Sequence, residues 1–144
     1  MTKSTDTPIA KFFEHYAAAT LKGDAKTIAA AYAGTYIEAA PAAVTAYTVD
    51  AEYRKALGEK SSTMKDRLGL SGVEADLKTI KKFAPGHFLV DVEWTMTFAA
   101  NGRDPAKSRF LISYVVRLKD RTPMILLSVS HEDEEAVMKR DGVI

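Results

Sequence analysis

The 144-residue sequence contains no cysteine and no glutamine, and Asn101 is its only asparagine. Without cysteine, a disulfide framework and thiolate chemistry are both excluded. Without side-chain amides, polar recognition in a buried site falls to hydroxyls, Trp94, histidine, charged groups and backbone. Net charge is nearly absent as well. There are 20 basic and 19 acidic residues, a formal charge of +1. The two halves are alike, with 9 basic and 8 acidic in residues 1–72 and 11 of each in residues 73–144. No basic stripe exists of the kind nucleic-acid binding needs, so no nucleic-acid partner is expected. Lys78, Lys81 and Lys82 read as a solvated strand face. No run approaches the roughly 20 apolar residues that span a bilayer, so no membrane partner is expected. The polar stretch Met1 to Pro8 lacks the apolar core of a secretory signal. The expected compartment is the cytoplasm.

What is present is a hydrophobic fraction of 47%, which excludes disorder and suffices for the core of one domain, residues 1–144. Alanine divides the chain: 16 of its 22 alanines lie between Ala10 and Ala56. Alanine is the best helix former, so the first third should be helical. The second half is rich in Val, Ile, Phe and Thr, which favour strands. Helices first and strands afterwards indicate an α+β domain.

Thr7 can cap a first helix, with Pro8 at its first position, where the missing N–H costs nothing. Ile9, Phe12, Phe13, Tyr16 and Thr20 form its apolar stripe, and Gly23 ends it. Asp24 caps a second helix, expected over Ala25 to Ala33 and stopped by Gly34. A short strand at Thr35 to Ala39 is broken by Pro41, and Val44 to Thr48 returns beside it. Asp50 caps a third helix whose face is Tyr53, Leu57, Met64 and Leu68, ended by Gly69. Four strands follow, Val73 to Phe83, His87 to Phe98, Ser108 to Lys119 and Met124 to His131. Short joints at Pro85-Gly86, Asn101-Gly102 and Asp120 to Pro123 make neighbours antiparallel. Glu132 to Arg140 reads as a final helix, with acids first and bases last, as the helix dipole favours.

Strand parity assigns faces. Phe88, Val90, Val92, Trp94, Met96 and Phe98 share one face, with Phe110, Ile112, Tyr114, Val116 and Leu118 on the next strand. Asp91, Glu93, Arg109 and Arg117 fall on the opposite face. The last strand is apolar on both faces, Leu126 alternating with Ile125, Leu127 and Val129. An outer face of this mixed kind is expected to pair in a homodimer.

The order of elements, together with Phe12-Phe13-x-x-Tyr16, Leu21-Lys22-Gly23-Asp24 and Tyr32-x-x-x-Tyr36-Ile37, resembles the nuclear transport factor 2-like superfamily. That cone-shaped fold includes SnoaL-like cyclases and ketosteroid isomerases. The resemblance covers Phe12 to His131. It implies three N-terminal helices packed on a curved, mainly antiparallel sheet, a cystatin-like roll, with a pocket between the helices and the concave sheet face.

The candidate pocket residues are Phe12, Tyr16, Tyr32, Trp94 and Tyr114, an aromatic set with a few hydroxyls that suits a flat apolar ligand. The isomerase branch of the family implies a carboxylate base in the first strand and a tyrosine paired with a second acid. Only Glu38 is acidic in that strand, and Ala39 and Ala40 stand where a reaching acid is expected. No inward position of the later strands supplies a second acid. His131, at the end of the last strand, is the other candidate for proton transfer. His15, His87 and His131 lie on separate elements without ligand spacing, so no metal is expected, and no cofactor motif is present. Ser130 and His131 are neighbours on a strand and point apart, so they do not form a nucleophile and its base. Three readings remain: binding of a small apolar or aromatic molecule; an isomerase, cyclase or dehydratase using His131 or Glu38 with Tyr16 or Tyr114 as donor; and a structural dimerisation module whose cone is filled.

Overall fold

The computed structural model describes residues 6–99 and 104–144. The expected Asn101-Gly102 turn lies outside the described residues. Helix α1 runs Asp6–Lys22 and buries Ile9, Phe13 and Ala17, one residue per turn. Gly23, with φ +74°, ends it; a left-handed residue is cheapest as glycine. The Asp24 carboxylate then accepts from the Thr27 N–H at 3.2 Å and caps α2, Ala25–Ala30.

Helix α2 is shorter than the alanine run suggests. Strand β1 begins already at Tyr32 and continues to Ala39. Tyr32 pairs in register with Ile125, and its ring stacks on Tyr36 at 4.1 Å. Packing of an aromatic on a sheet here overrides local helix preference. Gly34 is therefore a strand residue, not a helix stop. Strand β2, Val44–Thr48, pairs antiparallel with β1.

Asp50 caps α3, Ala51–Ser62, by accepting from the Tyr53 N–H at 2.9 Å. The expected single helix to Leu68 instead widens into a π-helical turn over Thr63–Arg67. The Leu68 N–H reaches back five residues to the Thr63 carbonyl at 3.2 Å. Within this turn Met64 is buried. π-turns insert one residue into a helix and often stand beside functional sites.

Strands β3 (Leu70–Ala84), β4 (His87–Phe98), β5 (Ala106–Lys119) and β6 (Thr122–Ser130) form an antiparallel meander. Strand β1 joins β6 in parallel, so the six-stranded order is β2-β1-β6-β5-β4-β3. Asp120 and Arg121 both have positive φ, 51° and 63°, the conformation of a tight two-residue hairpin. The short helix α4, Glu134–Arg140, follows β6 and packs against β5. This is an α+β cone of helices on a curved, mainly antiparallel sheet. No helix among the described residues is long and apolar enough to cross a membrane.

Strand β4 buries every second residue, Phe88 to Phe98, as its parity predicts. Strand β6 breaks parity. Val115 pairs with Leu127 but Val116 pairs with Ile125, leaving Leu126 as an unpaired bulge. A bulge moves all later side chains to the other face. Ile125 and Ser128 therefore face the core, while Leu127 and Val129 turn to the outer face. The expectation that Ile125, Leu127 and Val129 share a face is corrected by that one inserted residue.

Candidate functional site

A cavity of about 140 Å³ lies between the helices and the concave sheet face. Its floor comes from β4 and β5, which place Trp94, Met96, Ile112 and Tyr114 against it. Tyr16 and Thr20 of α1, Ile28 of α2 and Leu57 of α3 form the opposing wall. Met64 of the π-turn also lines it, so the widened turn shapes the space. Lys60, Ser61 and Glu134 are the polar lining from α3 and α4. An apolar void of roughly 150 Å³ is enough to take up benzene.

Trp94 Nε1–H donates to the Tyr114 hydroxyl at 2.9 Å. This satisfies the buried indole, but the O–H proton of Tyr114 has no acceptor among the described residues. Tyr16 and Tyr32 share a hydroxyl–hydroxyl hydrogen bond of 2.6 Å, and whichever donates, the other phenol proton of the pair has no acceptor among the described residues. Burial pushes the phenols of Tyr16, Tyr32 and Tyr114 well above the ordinary tyrosine value. All three are neutral donors across the physiological range.

The hydroxyl pair is part of a larger array holding all six tyrosines. Tyr36 stacks on Tyr32 at 4.1 Å and on Tyr47 at 5.3 Å. Tyr53 meets both Tyr36 and Tyr47 edge-on and hydrogen-bonds the Tyr36 hydroxyl. On the inner side Tyr16 packs on Trp94 at 5.4 Å, and Phe13 on Tyr114 at 5.0 Å.

Of the expected pocket residues, Tyr16, Trp94 and Tyr114 line the cavity. Tyr32 stands behind Tyr16 and acts through its hydroxyl. Phe12 is half-buried, packs edge-on against Phe13 at 5.1 Å and faces a surface groove with Pro8 and Pro123. Its removal from the pocket follows from the helix: Phe13, not Phe12, points at the sheet.

Glu38 lies on the concave face. It pairs with Ser128, which pairs with Tyr114. The residue as a whole is exposed and is not among those lining the cavity, yet the proton affinity of its carboxyl is raised. Partial burial acts first, Lys60 opposes it, and Glu134 adds to it. A carboxyl whose folded pKa exceeds its ordinary value of 4.5 favours the folded state below that value. The advantage is lost as pH rises through the folded pKa, since the charged form is held less well folded than unfolded. Glu38→Gln therefore raises the urea midpoint at pH 7 and leaves it unchanged at pH 3.5. An equal shift at both pH values, or a fall at pH 7, contradicts this.

His131 lies on the outer face, not in the cavity. The Ser113 hydroxyl donates to Asp91 Oδ1 at 2.6 Å, and the Ser113 oxygen stands 2.8 Å from His131 Nε2. With the serine proton committed to Asp91, His131 Nε2–H is the donor to Ser113. The bulge at Leu126 explains the placement, because without it His131 shares the face of Ile125. Among the described residues no group of three metal-ligating acids or histidines occurs.

Glu134 was not among the candidates. In sequence it is one acid in a run of four, well explained by a helix N-terminus. Only the turn between β6 and α4 brings it to the cavity. Tyr36 entered only as a motif residue and Tyr53 only as a helix-face residue, and Tyr47 carries no sequence signal beyond its type.

No family model matches the sequence, and no curated protein matches it. The fold is nonetheless shared by solved structures. Aln2 from a Streptomyces species superposes with a TM-score of 0.72 at 12% identity, covering 97% of this chain and 99% of its own. A protein of unknown function from Shewanella oneidensis, described as similar to nuclear transport factor 2, gives 0.66 at 13%, covering 88% and 98%. A putative scytalone dehydratase from Novosphingobium aromaticivorans gives 0.66 at 15%, covering 86% and 80%. The chain has the nuclear transport factor 2-like fold, and at these identities the likeness concerns the fold alone.

Proposed function

We propose that the protein holds a small apolar or aromatic molecule in the cavity between its helices and the concave sheet face. The observation that carries this reading is an open apolar space of about 140 Å³ beside the buried Tyr114 hydroxyl, whose proton has no acceptor among the described residues. A ligand with one acceptor oxygen satisfies that proton, and Trp94 and Tyr16 add aromatic surface to the wall. The filled-cone reading is disfavoured by the same space. A thermal-shift series with neutral single-ring compounds such as 4-methylphenol tests it. At ten times Kd the expected stabilisation is about 1.4 kcal/mol, or roughly 3–6 °C in Tm. A Tm unmoved at millimolar concentrations by all such compounds contradicts the reading.

A second reading is an isomerase, cyclase or dehydratase in which Glu38 moves a proton and Tyr16 or Tyr114 donates to the developing oxyanion. The raised proton affinity of Glu38 on the concave face favours it. His131 is not part of this reading, because it stands on the outer face. That outer face, with Ile37 43% and Val129 39% exposed, suits a homodimer. Sedimentation at micromolar concentration is expected to give twice the 15.8 kDa chain mass, and Val129→Lys to give the monomer. A wild-type monomer overturns the dimer.

A further inference from the structure

We propose that the surface groove between the first turns of α1 and the β5–β6 turn binds a small phosphate monoester whose body is a single flat ring. The groove shares no lining residue with the cavity, so the proposal is independent of what the cavity holds.

Three observations lead to it. The first is a convergence of cations. Lys11 and His15 stand about one turn apart on α1, Arg121 approaches from the β5–β6 turn, and together they line a groove of about 320 Å³. No acid lines it. All three side chains are exposed. Among the described residues none of them has a hydrogen-bond or ion-pair partner. Lys78, Lys139 and Arg140, by contrast, are each paired with an acid. Glu14 and Asp120 neighbour His15 and Arg121 in the chain, yet neither lines the groove. Cations gathered without acids repel one another, and an anion between them relieves that repulsion.

The second observation is the backbone of Arg121. Its φ is 63°, at the second position of a two-residue hairpin turn. Glycine is the residue such a position favours, and a long side chain there holds the backbone under strain. What arginine supplies and glycine cannot is a planar fork of donors, matched to two oxygens of one anionic group. The Lys11 ammonium and a ring nitrogen of His15 add donors for the remaining oxygen. Two positive charges, on Lys11 and Arg121, suit a doubly charged phosphate monoester better than a singly charged carboxylate or sulfonate.

The third observation is the apolar part of the groove. Phe12, Pro8 and Pro123 line it beside the cations. Phe12 is only half-buried, and its ring is held edge-on by Phe13 at 5.1 Å. Bare phosphate leaves this surface in water, whereas a flat ring covers it.

The test is isothermal titration of the full chain at low salt with phenyl phosphate, inorganic phosphate and benzenesulfonate. Phenyl phosphate is expected to bind roughly tenfold tighter than either of the others. Its affinity should fall as salt is added. Backbone amide shifts on addition should fall on α1 around Lys11 and His15 and on the β5–β6 turn. Arg121→Gly separates binding from folding. It is expected to raise Tm by relieving the turn, while weakening phenyl phosphate by roughly fivefold or more. Affinity lost from a more stable chain does not come from misfolding. Lys11→Ala should weaken binding similarly without touching the turn. No binding of phenyl phosphate at millimolar concentration, an affinity untouched by Arg121→Gly, or amide shifts confined to residues lining the cavity overturns the proposal. Inorganic phosphate binding as tightly as phenyl phosphate overturns the ring-bearing ligand.

Discussion

Phe13→Ala is expected to lower the unfolding free energy by about 3–5 kcal/mol, the usual cost of deleting a fully buried phenylalanine. Phe13 is 0% exposed and stands at the junction of helix and sheet. Its ring centroid lies 5.0 Å from that of Tyr114, 6.4 Å from Trp94 and 5.1 Å from Phe12. The truncation therefore removes apolar burial and three ring contacts at once. The site cannot collapse easily, because β4 and β5 are held in register across their length. With total domain stability of about 5–15 kcal/mol, such a loss removes a large share of it. Urea unfolding followed by far-ultraviolet circular dichroism measures it. A loss below about 1 kcal/mol would mean that Phe13 is not the centre of the core. Phe12→Ala, at a half-buried position, should cost clearly less.

Tyr114→Phe is the second large effect and acts through one atom. The Tyr114 oxygen accepts the Trp94 Nε1–H, and both residues are buried. Removing the oxygen leaves the buried indole N–H without its protein partner. The expected cost is about 1–3 kcal/mol. The distinguishing measurement is a double-mutant cycle. Trp94→Phe removes the stranded donor, so Tyr114→Phe in that background should cost markedly less than it does alone. Simple additivity would show that the hydrogen bond contributes nothing. A change of the same size on Tyr114→Leu in the Trp94→Phe background would point to ring packing instead.

The parts legible in sequence are those governed by strong local rules. Strand β4 alternates without interruption, and its limits, His87 and Phe98, match the structure residue for residue. Gly23, Gly69 and Gly86 adopt the positive φ that their positions in the chain suggest, and Asp24 and Asp50 cap helices as expected. The parts that were not legible depend on a single inserted residue or on distant packing. The bulge at Leu126 has no glycine or proline to announce it, and it alone sends His131 to the outer face. The π-turn at Thr63–Arg67 likewise has ordinary helical composition. Tyr32 reads as helical beside its alanines and becomes a strand residue only because β6 is there to pair with it. Glu134 enters the site because the chain turns back after β6, a three-dimensional fact with no counterpart in local pattern. Tyr16, Trp94 and Tyr114 were legible as cavity residues because their inward direction follows from simple periodicity.

A cone that is open inside and admits a single ring is tested most directly by intermolecular nuclear Overhauser effects between 4-methylphenol and the protein. Contacts from the ligand methyl and ring protons to the Trp94 indole, Ile112 and Tyr114 are the expected result. Binding without those contacts, or contacts confined to the outer face around Val129 and His131, would contradict an open, ring-sized interior.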